Sequence, residues 1–254
     1  MNDRAPGAPN LPLPAEFVLL LHRPGGGEFS RVNPYIVTVA AEVAELVLHG
    51  RVKLREKKRG KAEIVLLDRT PVGVDWLDRV LISLAHSVRS RSASIFFHSW
   101  YPLRQHAFAE HRAQLCAIGG LEYRREKLLG FIPYDRYFPH EAERAARFDE
   151  LVRVAHGERR VDDRMALFVA IAFSSGLCRE FSLGRSPLKR LRAVAGGELL
   201  GAAVSGAVAE SSTVIGTAVP FATVNGRGST GGGSGDGGGD GGGGGGDGGG
   251  GGGG

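Results

Sequence analysis

The sequence has few cysteines and no long apolar run, and both absences restrict what it can be. Cys116 and Cys178 are the only cysteines in 254 residues, too few for a disulfide framework or a thiolate zinc site. The N-terminus lacks a signal-peptide pattern. No apolar run reaches the roughly 18 residues that span a bilayer; residues 193–224 come closest, but two glutamates and a proline interrupt them. We therefore expect a cytoplasmic protein that rests against a membrane without crossing it.

Motifs of catalysis and of cofactor binding are also missing. No G-x-S-x-G elbow occurs, and GRGSTG at 226–231 matches a dinucleotide fingerprint only inside a glycine tract with no helix after it. His106 and His111 are five residues apart, so on a helix they point about 140° away from each other and do not form a zinc pair. The sequence therefore predicts no enzymatic activity, no metal and no cofactor.

Composition divides the chain into a folded body and a glycine tail. From Gly226 onward 22 of 29 residues are glycine, and such a segment buries too little apolar surface to offset its backbone entropy. The net charge is +5, and because the tail has one arginine and three aspartates, the rest of the chain carries +7. We expect a disordered leader at 1–10, one domain at 11–225 and a disordered tail at 226–254. The positive charge is typical of proteins with anionic partners.

Periodicity and capping residues predict a mainly α-helical domain with two β-hairpins. Asn33, Pro34 and Gly50 are the cap, first turn and end of one helix, and Asp75 is the predicted cap of another. Further helices are predicted at 15–22, from Pro102 to Gly119, at 140–155, at 162–178 and from Ser186–Pro187 onward, where the helix is basic. The hairpins are predicted at 52–67 and 121–132, the second with residues 124–127 at its turn.

The first hairpin is strongly basic, with seven positive charges among residues 51–61. Strand alternation places Arg51, Lys53 and Arg55 on one face. Two interpretations remain open. One is a solvated turn whose lysines protect a sheet edge, and the other is a patch facing an anionic surface.

The second hairpin is rich in aromatic and apolar residues. Much of it should pack on the core, but an outward turn with aromatics beside arginine would suit a membrane interface or a subunit contact. The residues predicted to face a membrane or a partner are Phe131, Ile132, Tyr134, Arg136 and Tyr137.

Five segments in order resemble the Golgi phosphoprotein 3 family, in a bacterial form. They are AEFVLLL at 15–21, ELVLHGRVKL at 45–54, TPVG at 70–73, GGL at 119–121 with LLGF at 128–131, and DDRMAL at 162–167. The resemblance covers residues 11–210. It implies a helical bundle ringed by amphipathic helices, with a β-hairpin that touches membrane or another subunit. It also implies binding of phosphatidylinositol 4-phosphate.

In that family the lipid pocket uses a tryptophan before the second helix, an arginine within it and two arginines on a later helix. The tryptophan position falls here on Ser30 and the first arginine on Val39, while the later pair falls near residues 105–113. We predict an anionic headgroup surface with five basic members: Arg31, Arg51, Lys53, Arg104 and Arg112.

Two other functions compete with lipid binding. A helix followed by a basic hairpin occurs at 34–67 and 102–132, and this arrangement is similar to a winged-helix layout. However, residues 34–48 contain no Lys or Arg. Nucleic-acid binding is therefore the weaker hypothesis. The other is a structural adaptor that forms homo-oligomers through the apolar hairpin.

Overall fold

The computed structural model describes residues 11–57, 61–88, 93–129 and 131–215, so the predicted leader and glycine tail lie outside the described residues. The fold is mainly α, as predicted. Its helices are α1 (Leu13–Leu21), α2 (Pro34–Leu48), α3 (Asp75–Ser87), α4 (Phe97–Trp100), α5 (Ala107–Ala117), α6 (Glu141–His156), α7 (Asp163–Ser174), α8 (Leu177–Glu180), α9 (Arg185–Ala195) and α10 (Leu199–Ile215). The strands are β1 (Val52–Lys57), β2 (Lys61–Leu66), β3 (Ser94–Phe96), β4 (Leu121–Leu128) and β5 (Ile132–Pro139).

Helix α2 is the centre of the fold. The Asn33 side chain accepts hydrogen bonds from the backbone N–H groups of Tyr35 and Ile36 at 3.1 and 3.2 Å, and Gly50 lies just past the helix with a φ of +66°. Both predicted ends are therefore confirmed. Every residue from 36 to 46 is buried, and a helix that is buried all round needs neighbours on all sides. Helices α1, α5, α7 and α10 pack against it.

Helix α10 packs on the domain. Leu200 and Val204 are completely buried, and the helix contacts α2 and α7. Within the described ranges, no single helix has both the length and the apolar composition to cross a bilayer; α9 together with the 199–209 part of α10 does, but this pair is bent by 110°.

Two antiparallel sheets complete the fold, in the orders β1-β2-β3 and β4-β5. The first hairpin occurs where the sequence predicts it, and β3 adds a third strand that the sequence analysis did not predict. The second hairpin exists, but its predicted turn is wrong: residues 124–127 lie within β4, and the chain reverses between Leu128 and Ile132. Charged side chains are tolerated in this strand because both faces of the hairpin reach solvent. Some of them also have polar partners on the neighbouring strand, as Glu126 has in Tyr134.

Three helix boundaries also differ from prediction. Asp75 does not cap α3; instead the Asp78 carboxylate accepts hydrogen bonds from the N–H groups of Val72 and Gly73 at 2.6 and 3.1 Å. The helix predicted at 162–178 starts at its Asp162 cap but breaks at Gly176, whose φ is +86°. The helix predicted from Pro102 is a short 3-10 turn at Tyr101–Arg104 followed by α5.

Candidate functional site

The basic face of β1 is largely neutralised by carboxylates. Arg51 Nη1 lies 3.0 Å from Asp68, and Arg55 donates two hydrogen bonds, at 2.9 and 2.6 Å, to the buried Glu63. Lys53 is exposed and is free of any ion pair within the described ranges. The predicted patch is therefore weaker than its sequence indicates, since two of the three cations on this face have carboxylate partners.

Arg104 points into the fold. Its guanidinium bonds both oxygens of the wholly buried Glu42, at 2.7 and 3.2 Å, and Glu110 at 2.9 Å, and its side chain is only 14% exposed. The His111 ring Nε2 lies 3.1 Å from Glu42 Oε1, the oxygen that Arg104 approaches to 2.7 Å. The Trp76 ring meets the His111 imidazole edge-on. Arg104 thus joins the 3-10 turn to α2 and has little capacity left for a headgroup.

Arg112 fastens the β4–β5 hairpin to the helices. Its guanidinium carbon lies 4.0 Å from the Tyr137 ring centroid and 5.1 Å from that of Phe108, and Nη1 lies 3.0 Å from Glu28. A cation held between aromatic faces and a carboxylate is stabilised by both. Arg112 and Tyr137 therefore lie at the base of the hairpin, where their contact holds the hairpin against the helices.

His22 lies beside this junction and is completely buried. Its Nδ1 lies 2.7 Å from the Val18 carbonyl, and its ring stacks on Phe108. Burial lowers the pKa of His22 to about 4, and the nearby Arg112 charge adds to that lowering. The imidazole is therefore neutral at physiological pH.

Stability is expected to fall as pH decreases from about 6.5 toward 4 because of His22. The unfolded chain protonates this histidine near its ordinary pKa and the folded chain does not, so protons favour the unfolded state in that window. Between pH 7 and pH 5 the expected loss is about 2 kcal/mol. Urea unfolding at both pH values, with and without His22→Gln, measures it. An unchanged pH dependence in the variant would assign the loss to groups other than His22. Glu28 is not one of them, because burial raises its pKa, and a carboxyl with a raised pKa stabilises the folded state as pH falls.

The base of the hairpin is tied to the loop that follows α1. The Arg136 guanidinium donates to the Gly25 carbonyl and to Glu126 at 2.9 Å, and Tyr134 Oη donates to Glu126 at 2.6 Å. The ring of Phe138 packs so closely on Gly26 that a Cβ there would lie 2.9 Å from it. Arg136 and Tyr134 are therefore engaged within the protein.

The tip of the hairpin, by contrast, exposes large apolar side chains. Leu129 is 75% exposed and Phe131 is 71% exposed. Leu129 also adopts a φ of +54°, a left-handed conformation that is unfavourable for leucine. Ile132 is half-buried, and Arg125 and Lys127 are exposed on the strand leading to the tip. Of the residues predicted to face a membrane, Phe131 is thus the most accessible. Leu129 was not among those residues, and it is exposed because it lies in the turn.

The five predicted basic residues do not converge on one pocket. Arg31 precedes the N-terminal end of α2 and Arg51 and Lys53 follow its C-terminal end, and a helix of 15 residues is about 22 Å long. Ser30 is exposed, while Val39, which falls on a pocket arginine in the family, is completely buried. The structure therefore provides separate basic positions around a central helix.

Comparison with protein-family models shows a match over most of the chain. Residues 13–211 match the model described as Golgi phosphoprotein 3 (GPP34), a span of more than three quarters of the chain. No curated protein matches the chain significantly.

Proposed function

This chain belongs to the Golgi phosphoprotein 3 family, and from that premise we propose that it is a peripheral membrane protein that binds anionic lipid surfaces on the cytoplasmic side. The contact is made by the tip of the β4–β5 hairpin together with exposed basic side chains. The observation that carries the proposal is the exposure of Leu129 and Phe131 at the end of a hairpin whose base is fastened to the helices. In this proposal the protein has no catalytic role.

The tip is unfavourable in water on two counts. Its apolar side chains stay hydrated, and the left-handed Leu129 backbone costs on the order of 1 kcal/mol. Transfer of a leucine or phenylalanine side chain out of water yields about 1.5–3 kcal/mol. Insertion into the interfacial region of a bilayer would offset both costs, and the fixed base would hold the tip in position.

Basic side chains supply the electrostatic part of the contact. Arg125 and Lys127 flank the tip and are exposed, and neither forms an ion pair with another described residue. Each basic residue near an acidic bilayer contributes about 1 kcal/mol. Arg31 and Lys53 are also exposed and are available to the same kind of surface. Phosphatidylinositol 4-phosphate is the specific headgroup that the family relationship implies.

The winged-helix alternative is not favoured at 34–67. A recognition helix must enter a nucleic-acid groove, but residues 36–46 of α2 are all buried. Self-association through the hairpin tip remains the second candidate, since an exposed apolar tip also suits a contact between two copies of the chain.

Replacing the tip side chains is expected to weaken vesicle binding while leaving the fold at least as stable. In Leu129→Asn/Phe131→Ser the apolar insertion of two side chains is lost, so partitioning should fall by at least about 100-fold. Asparagine tolerates a positive φ, so the melting temperature should stay unchanged or rise. Cosedimentation of the full chain with neutral vesicles, with phosphatidylserine vesicles and with phosphatidylinositol 4-phosphate vesicles of equal charge measures the binding and any headgroup preference.

A matched control removes a comparable apolar side chain elsewhere. Ile82 on α3 is 55% exposed, and Ile82→Ser should leave vesicle binding unchanged. If the tip variant binds as well as the natural chain, the hairpin does not insert. If it instead loses a dimer seen by sedimentation while vesicle binding persists, self-association is the function of the tip.

A further inference from the structure

The outward face of α9 carries a second concentration of positive charge. Four of the eleven residues of this helix are basic and none is acidic. Arg185, Lys189, Arg190 and Arg192 are all exposed. In the described part of the chain, no carboxylate lies within ion-pair distance of any of them. This differs from β1, where Asp68 and Glu63 pair with Arg51 and Arg55.

Spacing along the helix places three of these side chains on one stripe. Arg185, Lys189 and Arg192 are separated by four and three residues, so they follow one another on the same face over about 10 Å. The opposite face, with Leu191 and Ala195, is buried as α9 packs on α6 and α7. The stripe is therefore held rigidly, with its charged groups facing solvent.

The stripe and the hairpin lie near opposite ends of helix α6. Helix α6 begins where β5 ends and has 16 residues, a length of about 24 Å. The Arg190 guanidinium lies over Gly157, at the C-terminal end of α6, where an added Cβ would be 2.7 Å from it. The base of the hairpin is at the other end of α6. Substitutions on α9 therefore leave the hairpin and its attachment unchanged.

We propose that the outward face of α9 is a further contact site for anionic lipid headgroups, separate from the hairpin tip. This inference rests on the proposed membrane function and identifies a further source of its electrostatic attraction. A row of unpaired cations on a convex surface fits many headgroups of a bilayer rather than one enclosed phosphate. Sequence-specific DNA contacts favour Asn, Gln and Arg together, and the exposed face of α9 has neither Asn nor Gln.

The test compares two double variants with the same change in charge. Lys189→Gln/Arg192→Gln removes two charges from the stripe, and Arg69→Gln/Arg79→Gln removes two exposed charges from other surfaces. Glutamine keeps a good helix propensity, so equal melting temperatures are expected. Binding of the full chain to phosphatidylserine-containing vesicles at low salt should fall about five-fold for each stripe residue, or roughly 30-fold together. The control pair should lose less than about three-fold, and high salt should reduce the difference.

Different outcomes separate this inference from the proposed function. If the natural chain binds no vesicle of any composition, both fail. If it binds, and the stripe pair loses no more than the control pair, only the α9 inference is overturned. A third outcome, in which the stripe pair keeps vesicle binding but loses binding of a duplex oligonucleotide, would assign the face to nucleic acid and overturn the lipid contact.

Discussion

Replacing Glu42 with leucine is expected to lower the free energy of unfolding by about 3 kcal/mol. Glu42 is completely buried and binds Arg104 through both oxygens, with His111 at 3.1 Å. Removing the carboxylate leaves a mostly buried guanidinium with one remaining partner, Glu110, and an uncompensated charge in the interior is the main cost of breaking such a pair. Urea denaturation of the natural chain and the variant measures the loss.

The same arginine provides the matched control. Glu110 also pairs with Arg104, but it is 47% exposed, so Glu110→Gln should cost less than about 1 kcal/mol. The double variant Glu42→Leu/Arg104→Met removes both charges and should be more stable than Glu42→Leu alone. If the double variant is less stable than the single one, the charge left on Arg104 is not the source of the loss.

Placing an arginine at position 39 is expected to unfold the protein or to cost at least about 4 kcal/mol. By the resemblance to the family, an arginine of the lipid pocket aligns with this position. Here Val39 is completely buried on α2, and the nearby Glu42 carboxylate is already taken by Arg104 and His111. A second guanidinium would therefore add an unbalanced charge to the core, and no headgroup pocket would be restored.

Two variants distinguish charge from size and from position. Val39→Met introduces a long side chain without charge and should cost about 1–3 kcal/mol, the usual range for overpacking. Ser30→Trp, at the other pocket position, adds a side chain where the backbone is exposed and should change stability by less than about 0.5 kcal/mol. A Val39→Arg variant that is as stable as Val39→Met, and that gains preference for phosphatidylinositol 4-phosphate, would show that position 39 can reach solvent.

The two turn regions show where sequence reading succeeded and where it failed. The first hairpin was placed correctly because its basic residues lie between two short apolar runs. In the second, the charged residues 124–127 predict a turn, although they lie in β4. The actual turn contains Leu129 and Phe131, and an apolar turn is not predicted by rules that assign polar residues to turns. Its exposure became visible only in the folded chain.

The sequence alone determined the mainly helical class, the central helix with its Asn33 cap and Gly50 end, and the position of the first hairpin. These features depend on periodicity and on hydrogen bonds between residues a few positions apart, so a local pattern is enough to predict them. Tertiary structure decided which charges remain available to a partner. Arg104 bonds Glu42 across 62 positions and Arg112 bonds Glu28 across 84. The cations of α9, by contrast, face solvent and have no carboxylate partner among the described residues. Such pairings depend on how distant elements pack, and no local pattern records them.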